Sequence, residues 1–370
     1  MSTSSRERLR VIVAMSGGVD SSVAAALLRD EGHDVVGVTL HLWDYPDDGS
    51  VRGRCCAPED QHDARRVADH LGIPHFSFDR REAFSREVVD PFVDAYLAGE
   101  TPSPCAWCNR GPKFRELFAL AARLGADAVA TGHYARVLEE NGRFVLRAAR
   151  DETKDQSYFL HALDPSELAR LRLPLGERTK ADVRAEAARR GLAGAEKGES
   201  QELCFVPSGR YDAFVASRAD GRVRPGPIVD EHGRTVGRHD GVHAFTVGQR
   251  KGLGVALGAP AYVVGIDPTS ATVRLGPAEA LDVTSIEADD VVLAGDVAGE
   301  FEARVKVRAR HEGALARVRR LGEGRVAITF EQPVRSVSVG QFAVAYAGDR
   351  VLGGGRIAKV VRREESGCTA

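Results

Sequence analysis

The sequence predicts an α/β protein in which a Rossmann-like parallel sheet precedes a small β domain and a C-terminal β-barrel. The first half alternates short apolar runs with amphipathic runs, which is the β-α-β-α order of a parallel sheet covered by helices. From about Arg222 the helical patterns end, and short apolar runs separated by glycine turns follow, as in all-β domains. The length of 370 residues allows two or three domains. We predict their boundaries at 1–208, 209–283 and 284–370.

The helices and strands of the first half are predicted from apolar runs and from the proline and glycine residues that bound them. The run at 9–15 is too short for a helix and predicts a strand. An alanine- and leucine-rich run that ends at Gly32 predicts a helix over 21–31. Pro58 and Gly72 mark the start and end of another helix. The remaining predictions are strands at 34–43 and 73–79, helices at 82–98 and 113–124, a strand in ADAVATGHY, and a hairpin around Asn141–Gly142.

The turn from Ser16 to Ser22 has the composition of an anion-binding site. Its two glycines allow the main chain to approach a ligand, and the N–H groups at a helix N-terminus attract phosphate. It lacks the lysine of the G-x-x-x-x-G-K-S/T phosphate loop. Asp20 is unexpected beside a phosphate unless a cation lies between them, so the pattern indicates a metal-bound nucleotide. An ordinary glycine turn before a helix is the alternative.

Charge and hydropathy narrow the classes of function. The formal net charge is −2, so any nucleic-acid contact must come from local basic patches. Such a patch lies at 304–320, where alternate residues Arg304, Lys306, Arg308 and Arg310 are expected on one strand face. A solvated charged face is the alternative interpretation. The sequence has no signal-peptide pattern and no run of membrane-spanning length, so we expect a cytoplasmic protein with no membrane partner.

The cysteines are expected to be thiols, metal ligands or redox centres, because a disulfide framework is rare in that compartment. Cys105 and Cys108 form a C-x-x-C in TPSPCAWCNRGPKF, a predicted loop between two helices. Cys204 lies in ESQELCFVPSG. Polar, proline-flanked segments give no packing reason for a thiol at Cys108 or Cys204. The other three are interpreted as small buried hydrophobes: Cys55, Cys56 and Cys368.

Six segments occur in a fixed order: VIVAMSGGVDSSV, PCAWCNRGPKF, ATGHYAR, KDQSYFL, SQELCFVPSG and TVGQRKGLG. Together they resemble the bacterial tRNA-specific 2-thiouridylase family (tRNA-uridine 2-sulfurtransferases), which belongs to the N-type ATP pyrophosphatases with a PP-loop. The resemblance covers nearly the whole chain. It implies an adenine nucleotide alpha hydrolase-like catalytic domain over 1–208 and a tRNA-binding barrel over 284–370. A lone PP-loop is shared with several synthetases, whereas the ordered set is more specific.

The resemblance implies ATP-dependent 2-thiolation of the wobble uridine of tRNA. The uracil C2 oxygen is adenylated, and sulfur is then transferred from a persulfide on Cys204 with the help of Cys108, the nucleophile. A Cys108–Cys204 disulfide remains and must be reduced. The implied cofactors are ATP and Mg²⁺. The implied partners are a tRNA with a wobble uridine and a persulfide sulfur donor, either a cysteine desulfurase or a relay protein.

The resemblance also assigns binding positions in this chain. The positions expected to hold ATP are Ala14, Met15, Ser16, Gly17, Gly18, Val19, Asp20, Ser21, Leu40 and Gly132. The positions expected along the tRNA and its target base are Ser103, Pro104, Cys105, His133, Lys154, Asp155, Gln156, Arg308, Ala309 and Gln341. Two positions depart from the family pattern. Many relatives have Asp at the position of Cys105. Many have an aromatic residue at that of Ala309, so the RNA contact there is expected to be weaker or made by the backbone only.

Other interpretations of these residues stay open at the level of sequence. Three thiolates, Cys105, Cys108 and Cys204, are enough to hold a [4Fe–4S] cluster with one iron open for sulfide. A PP-loop enzyme that adenylates a small carbonyl metabolite would need no basic barrel and no paired cysteines. A non-catalytic redox or RNA-binding module would leave the PP-loop unexplained. His133 and the Lys154–Gln156 segment have plain structural alternatives, as a satisfied turn histidine and a polar hairpin exit.

Overall fold

The computed structural model describes residues 8–44, 58–192, 203–206, 209–255 and 258–362. They fall into two compact units, which are described separately. Unit 1 comprises 1–88, 105–209 and 349–351, and unit 2 comprises 89–104, 210–348 and 352–370. The three-domain division expected from the sequence stays a prediction.

The elements up to residue 192 are, in chain order, β1 (Arg10–Ala14), α1 (Val19–Asp30), β2 (Asp34–His41), α2 (Pro58–Leu71), β3 (His75–Asp79), α3 (Arg81–Phe84), a π-helix (Ser85–Val89), α4 (Asp90–Leu97), α5 (Pro104–Cys108), a second π-helix (Asn109–Lys113), α6 (Phe114–Arg123), β4 (Ala128–Ala130), β5 (Ala135–Glu140), β6 (Arg143–Ala148), a 3₁₀ turn (Ser157–Leu160), α7 (Pro165–Ala169), β7 (Leu171–Arg172) and α8 (Lys180–Arg189). Those after residue 208 are α9 (Tyr211–Arg218), β8 (Gly226–Val229), β9 (Thr235–His239), a 3₁₀ turn (Val242–Ala244), β10 (Tyr262–Asp267), β11 (Thr272–Gly276), a 3₁₀ turn (Ala278–Leu281), β12 (Asp282–Leu293), β13 (Glu300–Lys306), β14 (Ala314–Gly322), β15 (Arg325–Arg335), β16 (Phe342–Ala347) and β17 (Arg350–Arg362).

Unit 1 is built on a five-stranded parallel sheet in the order β3-β2-β1-β4-β7. Its strands are apolar because helices cover the sheet, and one core cluster joins Val11 and Val13 of β1 to α1, α2 and α8. The strand order reverses between β1 and β4. In sheets of this kind, ligands bind at such a switch point, outside the carboxyl ends of the strands. The predicted α/β fold with a Rossmann-like sheet is therefore confirmed.

Unit 2 contains a closed barrel and a smaller sheet. Six antiparallel strands run in the order β12-β15-β14-β13-β16-β17, and a pairing of β12 with β17 closes the ring. Closure removes exposed strand edges, and the interior is filled by residues such as Val305, Ile328 and Ile357. A four-stranded sheet, β10-β11-β8-β9, precedes it. The prediction of a small β domain followed by a β-barrel is confirmed.

Two predicted elements in and around the cysteine segment differ in the structure. The single helix expected at 82–98 is instead α3, a π-helix and α4, because Pro91 has no N–H and its ring would clash with the preceding turn. The expected loop at 105–112 is helical: α5 continues into a π-helix that contains Pro112. Gly111 has a non-helical backbone there, with φ −103° and ψ −111°. The helical path therefore kinks at Gly111, directly before Pro112.

The structure contains the hairpin predicted around Asn141–Gly142 and only part of the basic strand face predicted within 304–320. The hairpin of β5 and β6 turns at Asn141 and Gly142, which both have positive φ, as the Asn–Gly signal predicts. Of the four alternating basic residues, only Arg304 and Lys306 lie on a strand, because β13 ends at Lys306. Arg308 and Arg310 lie in the turn that follows the strand.

Within the described residues, no helix is both long enough and apolar enough to cross a bilayer.

Candidate active site

The turn after β1 is pressed against its neighbours at the carboxyl edge of the sheet. A Cβ built on Gly132, just after β4, would lie 2.8 Å from the carbonyl carbon of Asp20 and from the amide nitrogen of Ser21. Gly17 has φ +75°, and its Cβ would lie 2.2 Å from the carbonyl oxygen of Asp60 in α2. Only glycine fits at these two positions, so the loop is enclosed by β4 on one side and by α2 on the other.

Hydroxyl groups fix the shape of this loop. The amide of Ser16 donates to Oγ of Ser21 at 3.1 Å, and that Oγ donates to the carbonyl of Gly18 at 3.0 Å. Oγ of Ser22 donates to the same carbonyl at 3.0 Å. The serines therefore hold the main chain in a set conformation at the N-terminus of α1, which is where backbone amides bind phosphate.

Several of the positions expected to hold ATP have buried side chains, so they can contact a nucleotide only through the backbone or by shaping the surface. Met15 is 2 % exposed and Val19 is 8 % exposed, so both side chains belong to the core. The amide of Met15 donates to Val38, and its carbonyl accepts from Oγ1 of Thr39. Leu40 is buried near the end of β2. These residues lie at the carboxyl edge of the sheet, but the side chains of Met15 and Val19 point into the protein, and their contact with ATP stays a prediction.

Asp20 in the first turn of α1 has a cationic partner that the sequence did not reveal. Nζ of Lys180 lies 2.7 Å from both carboxylate oxygens of Asp20, and the hydroxyl of Tyr134 donates to Oδ1 at 2.8 Å. Lys180 is the first residue of α8, 160 positions away in the chain. Lys180 is therefore a cation that the protein itself places beside Asp20, and a metal ion at this carboxylate stays a prediction.

His133 follows Gly132 and is held from two sides. Nζ of Lys113 lies 3.3 Å from its Nε2, and Oγ1 of Thr131 lies 2.7 Å from its Nδ1. Burial lowers the pKa of His133 well below its ordinary value, and the positive charge of Lys113 lowers it further. The imidazole is thus neutral at physiological pH. Lys113 ends the π-helix that begins directly after Cys108, so this contact ties the cysteine segment to the carboxyl edge of the sheet.

Asp155 and Gln156 of the KDQ segment are engaged with the main chain. Oε1 of Gln156 accepts from the amide of Tyr134 at 2.9 Å, and the amide of Gln156 donates to the carbonyl of Tyr134 at 2.8 Å. Oδ1 of Asp155 accepts from the amides of Ala149 and Ser157, both at 3.1 Å. These two side chains shape the turn that carries His133, while Lys154 is half-buried beside them.

The two predicted catalytic cysteines are both half-buried, and Cys105 is exposed. Cys108 is the last residue of α5, and Nδ2 of the next residue, Asn109, donates to the carbonyl of Phe159 at 3.3 Å. Cys204 lies in a turn that Phe205 anchors. The Phe205 ring contacts Trp43 at 6.1 Å and Phe84 at 5.7 Å between centroids.

Trp43 stands two residues after the end of β2. Cys204 is thus attached to the same carboxyl edge of the sheet as the nucleotide loop. Direct proximity of the Cys108 and Cys204 sulfurs stays a prediction. Three of the six cysteines lie outside the described residues: Cys55, Cys56 and Cys368.

The described part of the chain contains no group of three or more His, Cys, Asp or Glu side chains arranged to hold a metal ion. The structure therefore gives no support to an iron–sulfur cluster on Cys105, Cys108 and Cys204.

The remaining predicted RNA positions belong to unit 2. Ser103 is 7 % exposed and Pro104 is also buried. Nε2 of Gln341 donates to the carbonyls of Thr101 and Pro102 at 2.9 and 3.2 Å, so this amide fixes the segment that leads into α5. Arg308 is exposed and donates to the carbonyl of Ser336, and Ala309 is half-buried. Arg308 is thus exposed enough to contact RNA, whereas Ser103 is not.

A glycine- and serine-rich loop at the switch point of a parallel sheet defines the class of the protein, a nucleotide-binding α/β protein. Family models agree with this architecture. A tRNA methyl transferase HUP domain matches residues 9–208, a tRNA methyl transferase PRC-barrel domain matches 213–277, and an aminomethyltransferase beta-barrel domain matches 283–357.

Curated relatives match the chain over almost its full length. The chain is 64 % identical over 360 residues to the tRNA-specific 2-thiouridylase MnmA of Sorangium cellulosum, covering 96 % of this chain and 94 % of the relative. It is 50 % identical over 352 residues to the tRNA-specific 2-thiouridylase MnmA of Chloroflexus aurantiacus, covering 94 % and 98 %. The chain belongs to the tRNA-specific 2-thiouridylase family, a family of sulfurtransferase enzymes, which confirms the resemblance seen in the sequence.

Proposed function

We propose that this protein is an ATP-dependent tRNA-uridine 2-sulfurtransferase that thiolates the wobble uridine. One observation carries the proposal. The nucleotide loop after β1, the Cys108 segment through Lys113 and His133, and the Cys204 segment through Phe205 and Trp43 are all attached to one edge of the sheet. A PP-loop enzyme for a small metabolite has no need of cysteines at that edge.

The first chemical step is adenylation of the base. The uracil C2 oxygen attacks the α-phosphorus of ATP, a C2–O–P bond forms, and pyrophosphate leaves. The main-chain amides at the N-terminus of α1 are the groups suited to hold that leaving group. Asp20 is the one carboxylate in this turn, which fits a Mg²⁺ ion bound by one carboxylate and substrate phosphates. When bound, the ion supplies neutralisation of phosphate charge.

The second step is sulfur transfer. The Cys108 thiolate attacks Sγ of a Cys204 persulfide, and the terminal sulfur leaves as hydrosulfide. Hydrosulfide adds to C2 and displaces AMP, giving the 2-thio base. A Cys108–Cys204 disulfide remains, and a dithiol reductant must return both residues to thiols before the next cycle. The target base must leave its stack to reach this edge, at a cost of a few kcal/mol for a loop nucleotide.

A tRNA substrate is supported by exposed arginines at the end of β13 and in the turn that follows it. Val305 of β13 faces the interior of the barrel, while its neighbour Arg304 is exposed on the outside. Arg308 and Arg310 follow in an exposed turn. Phosphate contacts of this kind supply affinity without sequence specificity, which suits recognition of a folded RNA whose target base is read elsewhere.

The test is mass spectrometry of nucleosides from tRNA of cells whose only copy of the protein carries Cys204→Ser. We expect 2-thiouridine to be absent, because the persulfide cannot form. Cys368→Ser is the matched cysteine control and should leave 2-thiouridine at the normal level. Normal 2-thiouridine in the Cys204→Ser cells would contradict the mechanism. AMP release that does not require tRNA would favour a metabolite-adenylating enzyme instead.

A further inference from the structure

The carboxylate of Asp20 is an unfavourable group to place at a phosphate-binding turn. It stands in the first turn of α1, next to the amides of the nucleotide loop. Its two oxygens are both 2.7 Å from Nζ of Lys180. The Lys180 side chain is 13 % exposed and that of Asp20 is 33 % exposed, so the pair is largely shielded from solvent on the lysine side. A shielded ion pair contributes little net stability, which leaves its position unexplained by folding alone.

The helix that carries Lys180 is rigidly placed. Val183 and Ala187 of α8 are fully buried in the same core cluster as α1. The side chain of Thr179 accepts from the amide of Asp182, and the side chain of Asp182 accepts from the amide of Thr179. The amide of Lys180 donates to Asp151 at 3.0 Å. Packing and capping therefore fix the backbone of α8. The ammonium group of Lys180 can move only by a change in the conformation of its side chain.

Tyr134 holds the carboxylate from another direction. Its hydroxyl donates to Oδ1 of Asp20, and its ring lies 5.7 Å from Nζ of Lys180. The backbone of Tyr134 is fixed on both sides by Gln156. Asp20 would thus keep one hydrogen bond if the lysine moved to another anion.

We propose that Lys180 is a polyphosphate-binding residue of the nucleotide site, held over the loop by Asp20 until a nucleoside triphosphate binds. The inference rests on the proposed function and deepens it by assigning a side-chain cation to a loop that otherwise offers amides and hydroxyls. On binding, the ammonium exchanges the carboxylate of Asp20 for phosphate oxygens. No covalent bond is made or broken in this exchange.

The test is direct binding of ATP and of AMP by calorimetry to the full-length protein. Lys180→Met should weaken ATP binding by about tenfold or more, the loss expected for a hydrogen bond to a charged group. AMP binding should fall much less, because AMP lacks the β and γ phosphates. Lys180→Arg keeps the cation and should lie between the wild type and Lys180→Met. Arg184→Met, an exposed position on the same helix, is the matched control and should bind both nucleotides normally.

A double-mutant cycle separates phosphate binding from mere neutralisation of Asp20. If Lys180 only neutralises the carboxylate, Lys180→Met has no effect on ATP affinity in an Asp20→Asn background. We expect ATP affinity to fall in that background as well. Equal losses for ATP and AMP in the single variant, or wild-type ATP affinity, would overturn the proposal. Failure of the wild-type protein itself to bind ATP would instead contradict the proposed function.

Discussion

Nζ of Lys113 lies 3.3 Å from Nε2 of His133, and this contact fixes the tautomer of the histidine. An ammonium group has only donors, so Nε2 accepts and the ring proton resides on Nδ1, facing Oγ1 of Thr131. His133 therefore presents a neutral imidazole of defined orientation beside the predicted nucleotide site. The lysine that sets this state lies five residues after Cys108.

Removal of the Lys113 charge should raise the pKa of His133. Burial is the larger cause of the lowered pKa and remains in the variant, so the rise is partial. We expect Lys113→Met to shift the titration of the labelled His133 ring toward its ordinary value in NMR spectra. Arg123→Met on α6, which is exposed, is the control for a general loss of positive charge. An unchanged or lower pKa in Lys113→Met would contradict the assignment.

Adjacent glycines of the nucleotide loop should differ sharply in their tolerance of alanine. Gly17→Ala places a Cβ 2.2 Å from the carbonyl oxygen of Asp60 at a positive φ, which costs at least about 1–2 kcal/mol for the backbone alone. Gly18 has φ −83°, and its Cβ would meet only Oγ of Ser16 at 3.5 Å. Chemical denaturation should show a clear loss of unfolding free energy for Gly17→Ala and a small change for Gly18→Ala. Equal stability of the two variants would show that the loop is not confined by α2.

Acid should destabilise the protein through His161. Burial lowers its pKa to about 4, while the unfolded chain titrates near its ordinary value of 6.5. The unfolded state therefore binds the proton first as the pH falls, so stability is full above pH 6.5 and is lost between that value and about 4. The loss amounts to about 3 kcal/mol at most. His161→Gln should flatten the pH dependence of the unfolding free energy, whereas His232→Gln, at an exposed site, should not. An unchanged slope in His161→Gln would contradict the prediction.

Cys105 distinguishes a redox disulfide from an iron–sulfur mechanism. The proposed persulfide mechanism uses only Cys108 and Cys204, so we expect anaerobically purified protein to be colourless, free of iron and active. Cys105→Ser and Cys105→Asp should both retain 2-thiouridine formation. Stoichiometric iron that disappears in Cys105→Ser, together with loss of activity, would favour the cluster.

The basic turn after β13 should contribute to tRNA affinity in a salt-dependent way. Arg308→Ala removes one exposed cation, and each lost phosphate contact lowers the slope of log affinity against log salt by about 0.7–0.9. Filter binding over a series of salt concentrations measures this slope. Arg325→Ala is the barrel control, because Arg325 is paired with Glu287 at 2.8 Å. An unchanged slope for Arg308→Ala would remove this turn from the proposed RNA surface.

The sequence was sufficient to predict elements whose residues are neighbours in the chain. The strand, glycine turn and helix from Arg10 to Asp30, and the Asn141–Gly142 hairpin, follow from local conformational preferences. The path through 104–113 was mispredicted because proline and glycine indicate a loop, whereas here two helical segments meet at a kink at Gly111, beside Pro112.

The contacts that define the site could not be predicted from local sequence patterns. Thr179 and Asp182 form a capping box that could have predicted the start of α8, but no spacing rule brings Lys180 to Asp20. Gln156 and Asp155 were interpreted as RNA-facing residues, and their observed bonds to Tyr134, Ala149 and Ser157 depend on how a hairpin returns to the sheet. Side-chain partners across such distances are set by topology.

Asp349 shows that unit 1 takes in a late piece of the chain. Its carboxylate is bound by Arg136 and Arg147, and its carbonyl accepts from the amide of Ala148 at 2.7 Å. A shortened gene that stops after residue 209 would leave both guanidinium groups without this anion and β6 without the pairing of Arg147 with Arg350. Attempts to express the catalytic portion by itself should therefore supply a substitute for that returning strand or begin from a circularly permuted chain.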